Sequence, residues 1–155
     1  MSSNPENNNW ETVKTAFLKE IDLKPCDGCD SCYLRCDRDI PMTREEFQNI
    51  RSYIQSECHE YICGVVSQDK RVDMGDDVYY QLCRFLDMTT HQCAVYPARP
   101  LVCRILGHVE WMPCPIGRIS KTAPAEISLK LMRTYALNER KTYEEWESME
   151  NTHDR

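Results

Sequence analysis

Cys26, Cys29, Cys32 and Cys36 stand at the spacing C-x2-C-x2-C-x3-C, four thiols inside eleven residues. Gly28, Asp27 and Asp30 supply turn chemistry between them, so a tight turn can aim the first two thiols at one centre. Hooks of this kind build structural zinc sites and iron–sulfur sites. Further along come Cys83, Cys93, Cys103 and Cys114. With the first four they could fill two four-thiolate sites, or one site with thiols to spare. The extended run is also the bacterial ferredoxin arrangement, although Asp37 stands where that run carries a proline. This favours iron–sulfur and leaves zinc as the alternative.

A four-thiolate zinc site and an oxidised [4Fe–4S] site each carry a net charge of about −2. Arg84, Arg99 and Arg104 lie beside candidate ligands, where guanidinium donors can offset that charge and bond to sulfur. Ordinary surface ion pairing is the competing account of these arginines. His91 and His108 are candidate ligands of a mixed site, against the plainer reading of loop histidines. Cys58 and Cys63, at a loose C-x4-C spacing around His59, read better as core or free thiols, since cysteine behaves as a small buried hydrophobe.

The chain has 155 residues and a net charge of −6. That size predicts one domain over residues 10–150, with disordered tails at 1–9 and 151–155. The negative charge excludes the electrostatic footprint of a nucleic-acid binder. No apolar run is long enough to span a membrane, and the start lacks the basic region and apolar core of a signal peptide, which predicts a cytoplasmic protein. An even count of ten cysteines would suit disulfides in a secreted chain; in the cytosol it points to metal.

The elements that must position these thiols follow from periodicity. Trp10, Val13, Phe17 and Ile21 predict an amphipathic helix, stopped by Pro25. Thr43 and Glu46 form a capping box, so a helix starts at Arg44, buries Phe47, Ile50 and Ile54, and runs to about Glu57. Val65–Val66, Arg71–Asp73 and Val78–Tyr80 read as short strands. Residues 80–86 read as another, with Cys93–Tyr96 as its return, a hairpin that brings Cys83 near Cys93. A short helix within 97–106 ends at Gly107. Ile127, Leu131 and Tyr135 share a face of a later helix, and Thr142 with Glu145 opens an acidic one carrying Trp146. The acidic face of Glu144, Glu145 and Glu147 could dock a protein partner or simply be solvated. The expected fold is α+β: small, loop-rich, with several short helices and a small β-hairpin, tied by metal.

Together, the N-terminal run, Cys83-Arg84-Phe85-Leu86, Cys93-Ala94-Val95-Tyr96-Pro97-Ala98-Arg99-Pro100, Cys103-Arg104 and Cys114-Pro115 closely resemble a bacterial and archaeal zinc- or iron-chelating cysteine-cluster family. Its signature is C-x2-C-x2-C-C followed by C-x-F-L, C-x-I-Y-x-x-R-P and C-R. The lead-in Ile40-Pro41-Met42-Thr43 is similar too, and the resemblance covers roughly residues 24 to 118. One departure stands out: Tyr33 occupies the family's fourth cysteine position, and Cys36 follows three residues later. The resemblance implies metal binding without a fixed activity. A related module in a flagellin lysine N-methylase adds an accessory role in a modifying enzyme, of methylation or maturation, although the chain has no Gly-rich loop for a methyl donor and no recognisable catalytic constellation. Three functions therefore stay open: an iron–sulfur protein for redox or metal handling, a zinc-stabilised interaction module, and such an accessory subunit.

Overall fold

The computed structural model describes residues 5–57 and 59–153. Among them are six α-helices and three two-stranded antiparallel sheets, the α+β class expected. None of these helices is long and apolar enough to cross a membrane. The chain divides into two compact units, Met1–Asp27 with Ile105–Arg140, and Gly28–Arg104 with Lys141–Arg155.

In the first unit, α1 (Pro5–Lys19) packs on α5 (Ala125–Ala136). Helical spacing puts Trp10, Val13 and Phe17 on one buried face of α1, and α5, on which it packs, buries Leu131 and Tyr135. The Trp10 and Tyr135 rings lie 5.1 Å apart. The helix begins at Pro5, ahead of the Trp10 start that apolar spacing alone marks. A hairpin of β5 (His108–Val109) and β6 (Met112–Pro113) adds Val109 and His108, both essentially inaccessible to water. Gly107 takes φ +89, a conformation glycine adopts at no steric cost, and it ends α4 (Leu101–Ile105) as anticipated.

The second unit is built on α2 (Arg44–Ser56), α3 (His59–Val66) and α6 (Tyr143–His153). The Thr43–Glu46 capping box forms in full, and Phe47 and Ile50 are buried from α2. Phe47 meets the Tyr143 ring at 4.9 Å, and Trp146 donates its indole N–H to Met42 O at 2.9 Å. The core is Met42, Phe47, Ile50, Ile62, Val65, Phe85, Val95, Tyr143 and Trp146, with Cys83 and Cys93 packed against it. Two hairpins sit in this unit: β1 (Arg71–Asp73) with β2 (Tyr79–Gln81), and β3 (Leu86–Asp87) with β4 (Gln92–Cys93).

Two strand expectations change. Val65 and Val66 form the last turn of α3, because Ile62 and Val65 at helical spacing both bury, and packing overrides the β preference of valine. The strand expected over 80–86 is broken, since Cys83 N–H donates to Cys36 O at 2.8 Å and Leu86 N–H turns back to Cys83 O at 3.1 Å. The return strand is correspondingly short, and Tyr96–Ala98 winds into a 3₁₀ turn around Pro97. The helix carrying Trp146 extends through Asn151 to His153.

Asp87, 4 % exposed, closes the β3–β4 turn. Its carboxylate accepts from Gln68 Nε2 at 3.1 Å, Thr89 N–H at 2.9 Å and Tyr61 OH at 2.8 Å. The Gln68 and Thr89 donors foremost hold its carboxyl well below the ordinary value. Asp87→Ala is therefore expected to cost about 2–4 kcal/mol in urea unfolding at neutral pH. A depressed folded pKa contributes above the unfolded value, so the deficit should shrink as the pH falls below about 4. A deficit constant between pH 7 and 3 would refute the carboxylate's role.

Candidate metal centre

The division between units falls inside the cysteine run, after Asp27. Cys29, Cys32 and Cys36 belong to the second unit, where a 3₁₀ turn (Tyr33–Arg35) with Cys32 as its N-cap delivers Cys36. Cys36 O then receives the Cys83 N–H, and Asp37 bridges Leu82, which fixes the run beside the end of β2. Cys93 lies on β4 opposite Leu86, whose own N–H reaches back to Cys83 O. Cys103 rides on α4, one turn past the rigid Arg99-Pro100 entry. Four thiols from separate stretches of sequence thus enter one another's electrostatic field.

Burial first, then the Cys83, Cys93 and Cys32 thiols, push Cys36 up to about 12. Burial and Cys83 take Cys93 to about 11. Burial, with Cys83, Cys93 and Cys36, raises Cys103 well above its ordinary value. Cys83 is raised chiefly by burial, opposed by the Phe85 N–H and by Lys70 and Arg84. Each of these groups disfavours the negative charge of the others, the condition that a bound cation relieves. The donor chemistry, four soft half-buried thiols, is that of thiolate-bound metals. In the arrangement described, no three His, Cys, Asp or Glu side chains among the described residues could hold a metal ion. A small cavity of about 40 Å³ is lined by Cys83, Cys93 and Cys103 together with Arg84, Arg99 and Tyr143.

The arginines divide their work. Arg99 opposes the rise of Cys36, Cys93 and Cys103, while its Nε donates to Tyr96 O at 3.0 Å and its guanidinium lies over the Tyr96 ring. Arg104 donates to Arg99 O at 2.8 Å and Pro97 O at 3.0 Å, and so braces the loop rather than a thiol. Arg84 pairs with Glu147 at 3.5 Å and Glu144 at 3.8 Å, packs on Tyr143, and leaves a buried Nε without a hydrogen bond. The acidic face of α6 thus carries a partner within its own unit.

Cys26 and Cys114 lie in the first unit. Cys26 ends a 3₁₀ turn, and its Sγ stands 3.4 Å from Nε2 of the buried His108. Against the upward push of burial, backbone N–H groups of Ile116, Ile119, Arg118 and Gly117 draw the Cys114 thiol below its ordinary value. His91 instead stacks on Tyr33, ring centroids 3.8 Å apart. Lys70 is a contributor that sequence reasoning passed over. Its ammonium donates to Val65 O at 2.7 Å, to Gln68 Oε1 and to Leu86 O, ties α3 to β3, and faces Cys83. Nothing in the polar stretch around it signals burial.

A family model spanning residues 25–148 matches the chain, CxxCxxCC, described as "Putative zinc- or iron-chelating domain". No curated protein and no solved structure matches.

Proposed function

From a chain that belongs to the CxxCxxCC family of zinc- or iron-chelating domains, we propose an iron–sulfur protein whose [4Fe–4S] centre is held by Cys36, Cys83, Cys93 and Cys103. The observation that carries this reading is the fate of Cys36. Its carbonyl accepts the Cys83 N–H at 2.8 Å, which ties it to thiols far downstream. In two-cluster ferredoxins the fourth cysteine of such a run also joins cysteines from outside it. Cys36 in this way takes the part that Tyr33, engaged with His91, does not play. A cluster bound here supplies one-electron chemistry. The chain's own residues orient the thiols, exclude water through Phe85, Val95 and Tyr143, and place Arg99 against the accumulated negative charge. Redox or metal handling is the role that follows.

Zinc is the second reading, favoured by the cavity of about 40 Å³, which has room on the scale of an ion and very few waters. Anaerobic purification, a visible spectrum and elemental analysis on one sample decide between them. Brown protein with iron and acid-labile sulfide is the expected result. Colourless protein with stoichiometric zinc would replace the cluster by a structural, interaction-module site. Folded protein with neither metal would overturn both.

A further inference from the structure

We propose that His59 and Cys63, on the exposed face of α3, form a separate two-point site for a borderline divalent cation such as zinc, open to exchange with solvent. The pair lies in a five-residue stretch, His59-Glu60-Tyr61-Ile62-Cys63. An i, i+4 spacing places both ligands on one face of a helix, the arrangement by which H-E-x-x-H motifs present two histidines to zinc. Here a thiol replaces the second imidazole.

The distances carry the chemistry. Cys63 Sγ lies 3.6 Å from Nδ1 and 3.7 Å from Nε2 of His59. With Zn–N of about 2.0–2.1 Å and Zn–S of about 2.3 Å at a tetrahedral angle, the ligand atoms of one ion stand about 3.6 Å apart. Sγ stands nearly equidistant from both ring nitrogens and so faces the ring rather than either lone pair; rotation of the exposed His59 ring about its side-chain bonds is what brings one nitrogen into that bite. The helix is held so that this face stays outward: Ile62 and Val65 are buried behind it, and Tyr61 OH is anchored on Asp87. Both ligands are exposed, as are the neighbouring Glu57 and Glu60, and the net charge of −6 favours cation approach. Two protein ligands leave the remaining positions to water or an incoming donor, so the ion is easily released, unlike one enclosed by four thiolates.

The test is equilibrium dialysis of the full chain, with its own metal in place and under reductant, against cobalt(II), read by the thiolate-to-cobalt difference spectrum. About one exchangeable equivalent is expected in the wild-type chain and in Cys58→Ser, and its loss in His59→Ala and in Cys63→Ser. Equal binding by all four proteins, no exchangeable binding by the wild type, or a loss confined to Cys58→Ser would overturn the assignment. Tightly held metal, assayed on the same samples, reports on the four-thiol centre alone and is expected to be equal in all four.

Discussion

Replacing Cys103 with serine is expected to release the metal of the second unit and to lower the melting temperature of the metal-loaded protein to that of the metal-free one. Serine nearly keeps the shape of the side chain on α4, so packing changes little. It is a poor ligand for a soft metal. Loss of a ligand should weaken binding by more than about a hundredfold, since even outer partners of ligands are worth about 10–100-fold. At free metal about a hundred times the dissociation constant, binding adds about 2.7 kcal/mol to folding, and this is the part that disappears. The metal-free proteins should melt together, because burial already keeps the Cys103 thiol protonated there. If the serine variant keeps full metal content in elemental analysis, Cys103 is not a ligand.

Phe47→Ala is expected to cost about 3–5 kcal/mol in chemical denaturation. Phe47 is fully buried and meets the rings of Tyr143 and Trp146. It belongs to the core on which Cys83 and Cys93 rest. The cavity left behind would loosen the base of the β3–β4 hairpin, so metal should be lost to a chelator faster than from the wild type. A destabilisation below about 1 kcal/mol would mean that α2 and α6 close over the gap.

Much of this frame is readable from local signals. Thr43 and Glu46 announce α2 because a capping box is made by neighbours in sequence, and Phe47 and Ile50 mark its inner face. Trp10, Val13 and Phe17 announce α1 by the same periodicity. Where partners are distant, the pattern fails. Val65 and Val66 look like a strand until α3 is seen packed on α2. The cysteine run looks like one continuous hook, yet Gly28, at φ +71, turns the chain where the two units part. Cys26 then finds His108, and Cys36 finds Cys83. No spacing rule within the run distinguishes the two, because the deciding hydrogen-bond partners come from elsewhere in the chain.

The Met42–Lys141 bridge, with N–H···O bonds of 2.9 and 3.0 Å in both directions, sets an order of assembly. The last piece of the second unit, α6, is synthesised long after all four of its central thiols have emerged. Non-local contacts form slowly, since loop-closure entropy must be met before they stabilise anything. A nascent chain therefore carries Cys36, Cys83, Cys93 and Cys103 through synthesis without the core that gathers them. With those four thiols as the proposed ligands, metal insertion would follow the docking of α6, and the yield of loaded protein should depend on keeping them reduced until then.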